Sequence, residues 1–236
     1  MTPLKLSRAQ RRQLRVDRRT WALGVAALGT TGVVLFGELA RVWTKGSAPL
    51  PTEIAEPVEI VQAADEAVRE TVEVAVAGYQ GGSTRENALF NLLGSFSMTF
   101  GLTRLTTFII RRYGRVGPLR NYRWGGRHIH HFVPGIAIAF LAGGASVISR
   151  NQELDPWLAL PFGFGVALTL DESALLLELD DVYWTERGIV SVQITLGALA
   201  LLSSAALGLR LLRRGEREVL DEEELPPMDA AAWTTA

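Results

Sequence analysis

Five runs of this chain, residues 20–37, 87–103, 132–149, 156–170 and 188–209, contain no Asp, Glu, Lys or Arg, while the segments between them carry charge, proline and glycine. Apolar residues gathered in blocks argue for lipid as the surroundings, whereas scattered amphipathic periodicity argues for a soluble core. About 20 apolar residues are needed for a helix to cross the hydrocarbon layer. The 188–209 run meets that length alone. The first is extended by residues 39–43 if Glu38 lies near a boundary, and the second continues through residues 105–110 after Arg104. Pro134 and the Gly143-Gly144 pair do not disqualify the third, because neighbouring helices can satisfy the freed backbone.

The pattern therefore predicts an all-α, polytopic membrane helical bundle with five transmembrane helices and an external amphipathic helix. The amphipathic element is expected over residues 59–79. Val61, Ala64, Val68, Val72 and Val76 recur at three or four residues, opposite Glu66, Arg69, Glu70 and Glu73. Three parts are expected: a basic cytoplasmic segment (1–20), a membrane domain (21–212) with an external stretch at 45–86, and a flexible tail (213–236).

Net charge, −1 over 236 residues, conceals an asymmetry that sets orientation. Lys5, Arg8, Arg11, Arg12, Arg15, Arg18 and Arg19 precede the first run, and a second arginine group at 111–127 follows the second run. The positive-inside bias places both on the cytoplasmic face, giving a multi-pass protein of the plasma membrane with a cytoplasmic amino terminus. Fit is poorer at the carboxyl end, where Arg210, Arg213, Arg214 and Arg217 would fall outside. A fourth element that enters and leaves on one face would reverse the last span and bring them inside, so two readings of residues 158–178 stand at this point. The absence of cysteine excludes disulfides and thiolate chemistry.

Candidate chemistry lies where charge meets apolar runs, because an ionisable residue at membrane depth usually has a task. His128, His130 and His131 precede the third run, and Asp171-Glu172 close the fourth. Imidazoles with carboxylates suit a divalent transition metal such as zinc, iron or manganese. The expected metal ligands are His128, His130, His131, Asp171 and Glu172. Glu178, Asp171 and Glu172 are the candidate catalytic acids and bases. Arg104 lies about 9 Å from the end of the second span, at the depth expected for Asp171, so the two should share a polar layer with a histidine. Arg104, Arg120, Arg123 and Arg127 are candidates for holding a headgroup or substrate anion. No phosphate loop or dinucleotide fingerprint is present, so no nucleotide cofactor is indicated. Nucleic acid is an unlikely partner, since the arginine loop at 111–127 is short and belongs to no binding module. Membrane lipids are the expected partners, with a second copy or another protein on residues 59–79.

The segments Arg127-His-Ile-His-His-Phe-Val-Pro-Gly135, Thr169-Leu-Asp-Glu-Ser-Ala-Leu-Leu-Leu-Glu178 and Asp180-Asp-Val-Tyr-Trp184 resemble uncharacterised actinobacterial integral membrane proteins, mainly over residues 120–190. That resemblance implies a membrane setting and brings no reaction with it. The leading functional expectation is a metal-assisted activity on a lipid or membrane-bound phosphorylated substrate. Ion or proton transport and a noncatalytic scaffold are the alternatives.

Overall fold

The computed structural model describes residues 8–52, 54, 57–113, 123–124, 127–128, 131–172 and 186–220. Six α-helices dominate them: α1 (Arg8–Lys45), α2 (Pro57–Gln80), α3 (Thr84–Tyr113), α4 (Phe132–Ser149), α5 (Asp155–Asp171) and α6 (Glu186–Val219). A 3-10 turn (Gln152–Leu154) precedes α5, and two strands of two residues each, β1 (Arg123–Trp124) and β2 (Arg127–His128), pair antiparallel. The architecture is otherwise all-helical. Among the described residues, three stretches are long and apolar enough to cross a membrane: Trp21–Lys45, Phe132–Ser149 and Val192–Val219. These belong to α1, α4 and α6, so the protein has the character of a membrane protein.

At about 1.5 Å per residue, α1 is roughly 57 Å long and α6 roughly 51 Å, so both exceed the hydrocarbon thickness and carry polar turns beyond it. The outward faces of α1 and α4 are apolar. Val33, Phe36, Phe140, Val147 and Ile148 are each at least 75% exposed, as befits side chains that meet acyl chains.

The chain forms two compact units, one of Met1–Thr31 with Thr84–Ser204 and the other of Gly32–Ser83 with Ala205–Ala236. In the first unit α5 lies between α3 and α4. Asn91 Nδ2 donates to Pro156 O (2.8 Å), Ser95 Oγ donates to Leu160 O (2.7 Å), and Arg104 reaches Asp171, so α3 and α5 run in the same direction. The turn after α4 has Arg150 in the left-handed region (φ 48°), and the chain returns with Ser146 Oγ donating to Asp155 Oδ1 (2.9 Å). Thus α4 and α5 are antiparallel. Helix α6 opposes α3: Gly94 lies beside Ser204, Gly197 beside Phe100, and Arg104 beside Gln193. It follows that α4 and α6 run the same way, with α3 and α5 opposed to both.

Glycine makes these approaches possible. Gly163 faces the α3 backbone at Leu92, while Gly165, two residues on, faces the α4 backbone at Gly135 and Ala139. Burying apolar side chains gains little in lipid, so membrane helices associate through small residues that let backbones approach. Around this contact Phe96, Ala167 and Ala200 form a core, and Phe96 stacks on Phe100 with centroids 5.8 Å apart.

In the second unit α2 packs through Ala63, Ala67, Val74 and Gly78, with Gly78 and Gly215 allowing α2 and α6 to cross closely. The valine stripe of the amphipathic pattern is exposed, with Val61, Val68, Val72 and Val76 turned outward, and the packed face is the one bearing Ala63, Ala67, Val74 and Gly78. Arg213 Nη2 donates to Glu38 Oε1 (2.6 Å), and three residues further on each helix Arg41 Nε donates to both oxygens of Glu216 (2.9 and 3.0 Å). Equal steps in the same sense make α1 and α6 parallel here. Lys45 completes the cluster at 2.5 Å from Glu216, and Arg214 Nη1 donates to Gly78 O (3.0 Å). Two of the four arginines that disturbed the charge bias, Arg213 and Arg214, are therefore engaged within the protein.

Candidate functional site

Helix α5 ends at Asp171, with Glu172 as its cap. Their position at a helix end leaves both side chains able to reach the start of α4. Asp171 is the centre of the site, with its side chain only 5% exposed. Its Oδ1 forms an ion pair with Arg104 Nε at 2.5 Å, and its Oδ2 lies 3.0 Å from His131 Nε2. The opposite edge of the imidazole, Nδ1, lies 3.3 Å from Glu172 Oε1. Glu172 Oε2 accepts the Phe132 backbone N–H at 3.1 Å, so one carboxylate both flanks His131 and caps the first turn of α4. Negative charge is favourable there because the unpaired N–H groups of a helix start carry partial positive charge.

Gln193 of α6 closes the other side. Its Nε2 donates to the carbonyls of Leu170 (2.9 Å) and Asp171 (2.8 Å), and its Oε1 accepts from Arg104 Nη2. Arg104 Nη2 also donates to Asp171 O at 3.1 Å, and the guanidinium lies over the Phe100 ring, 5.4 Å from its centroid. The last carbonyls of α5 are thus satisfied by side chains from two neighbouring helices. Polar groups taken out of water need such partners.

Arg104, His131, Asp171 and Glu172, expected from sequence to share a layer, are together. Gln193 was missed, although an amide inside the uncharged 188–209 run is the signal that marks it. Glu178, Arg120 and His130 lie outside the described residues. Arg123, Arg127 and His128 are described by backbone alone, with Arg123 opposite His128 and Trp124 opposite Arg127 across the two short strands.

Among the described residues no group of three His, Asp or Glu side chains has the arrangement of a metal site. Among the described side chains, Arg104 faces Asp171 Oδ1, and the two carboxylates address opposite edges of His131. Ligands around one metal converge on a point, whereas these donors form a chain.

A neutral imidazole offers one N–H and one lone pair, so the ring can donate through one nitrogen and accept through the other.

No family model, curated protein sequence or solved structure matches the chain.

Proposed function

We propose that the protein is a five-span membrane protein in which Glu172, His131 and Asp171 form a proton relay serving ion or proton transport. The observation that carries this reading is the single imidazole with a carboxylate at each ring nitrogen, 3.0 Å and 3.3 Å away. A proton reaching Glu172 can pass to Nδ1 as Nε2 releases its own to Asp171 Oδ2. Tautomer exchange or a ring flip then resets the imidazole. Glu172 is the more accessible carboxylate, at 16% against 5% for Asp171, which gives the series an outer and an inner end. Arg104 keeps its bonds to Gln193 and to the Asp171 carbonyl when the Asp171 carboxylate takes up the proton.

Helix directions support five crossings. Because α4 and α6 run the same way, the intervening α5 has to return across the membrane if both are to cross it. The opposed α3 likewise lies alongside α6 and brings the chain back before α4. Parallel α1 and α6 in the second unit disfavour the re-entrant alternative, which would make them opposed.

Reconstitution into liposomes holding a pH-sensitive dye, with an imposed proton or cation gradient, tests the proposal. Wild-type protein is expected to relax the gradient and His131→Gln to abolish relaxation while still folding, as a cooperative melting transition shows. Absence of flux from folded wild-type protein, or equal flux from His131→Gln, would overturn it. Metal analysis of the same preparation tests the metal-assisted reading: stoichiometric zinc, iron or manganese lost in a His128→Ala, His131→Ala variant would favour that reading.

A further inference from the structure

A groove in the second unit takes no part in the relay. It lies between the last turns of α1 and α6, encloses about 470 Å³, and is lined by Arg41, Lys45, Leu209, Arg213, Glu216 and Arg217. Glu216 is almost fully buried and is shared by Arg41 and Lys45, while Arg213 uses Glu38. Among the described residues of the groove and their ion-pair partners, four cations face two carboxylates, Glu216 and Glu38. Arg217 is exposed at the mouth.

Polarity changes along the groove in the direction of the membrane. Leu209 precedes Arg217 by eight residues, about 12 Å along the axis of α6, so one end is apolar and the other cationic. Both bordering helices have apolar stretches long enough to cross a membrane, and the charged residues occupy the ends of those stretches. Guanidinium groups match phosphate oxygens in a fork, and a lysine adds a compact point charge. Inorganic phosphate would use the cationic end alone; a phospholipid would use both ends.

We infer that this groove binds the phosphate of an anionic phospholipid headgroup, with the acyl chains directed past Leu209. The inference is independent of the proton relay and requires only that α1 and α6 lie in the membrane. Native mass spectrometry of the full chain, titrated with phosphatidylglycerol or phosphatidylcholine, tests it. The variants are Arg217→Gln and Lys45→Gln with Arg217→Gln; both retain the Arg41–Glu216 and Arg213–Glu38 pairs, and melting temperature confirms that they fold.

Phosphatidylglycerol is expected to bind in preference to phosphatidylcholine and to weaken by about fivefold for each charge removed. Millimolar inorganic phosphate should not displace it. Equal binding of the two lipids, or unchanged phosphatidylglycerol binding in the folded double variant, would overturn the inference. Displacement by inorganic phosphate would also overturn it, assigning the groove to a free anion.

Discussion

Replacing Gly165 by alanine tests the glycine-mediated approach of α5 to α4. The added Cβ would stand 2.5 Å from Gly135 O and 2.6 Å from Ala139 N, whereas ordinary contact begins at 3.4 Å. Both obstacles are backbone, so no side chain can rotate away. The helices must separate by about 0.9 Å, enough to forfeit a quarter to a half of the attraction between facing atoms. Overpacking of this kind costs about 2 kcal/mol. The same shift carries His131 Nε2 from 3.0 Å toward about 4 Å from Asp171 Oδ2, beyond hydrogen-bonding range, at a further cost of about 1.5 kcal/mol. Higher helix propensity of alanine offsets about 1 kcal/mol. Net destabilisation of about 2–3 kcal/mol is expected, read by equilibrium unfolding in mixed micelles. Gly144→Ala provides the control, since nothing lies within 4 Å of its Cβ, and it should be neutral or stabilising by up to about 1 kcal/mol. Indistinguishable unfolding curves for the two variants would refute the packing argument.

Asp171→Leu should destabilise the fold by about 3 kcal/mol, the low end for breaking a buried pair because Arg104 keeps 40% of its exposure. In the same unfolding assay, adding Arg104→Met should recover part of the loss, and simple additivity of the two would count against the ion pair. Reporter fusions after residues 5 and 220 should lie on opposite faces of the membrane; finding both on one face would contradict parallel α1 and α6. Ala67→Leu should lower the melting temperature whereas Val68→Leu leaves it unchanged, because Ala67 is buried and Val68 is half exposed. The reverse order would overturn the assignment of the Ala63, Ala67 and Gly78 face as the packed one.

The helical, membrane-embedded character of the chain was legible because uncharged runs as long as 132–149 and 188–209 are costly to leave in water and long enough to cross lipid. The pairing of Arg104 with Asp171 was legible for a related reason: each is a charge set in apolar sequence, and each needs the other. The roles of Gly163 and Gly165 were not, since a Gly-x-Gly in an apolar helix does not reveal which neighbour approaches it. The face by which α2 packs was not legible, because hydrophobic periodicity measures aversion to water, whereas Ala63, Ala67 and Gly78 allow a backbone to come close. Glu38, noticed only as a charge near a boundary, could not be joined to Arg213 without knowing that two helices so far apart in sequence are parallel neighbours.

That pairing bears on how the molecule is made. Glu38 enters the ribosome exit path 175 residues ahead of Arg213. At ordinary synthesis speeds, roughly 5–20 residues per second, its carboxylate waits about ten to thirty-five seconds for its guanidinium. During that interval the first helix carries an acid with no final counter-charge, and the last helix arrives as the latch that neutralises it. Chains stopped before residue 213 should therefore be recognised as unfinished by membrane quality control, even with their earlier helices already inserted.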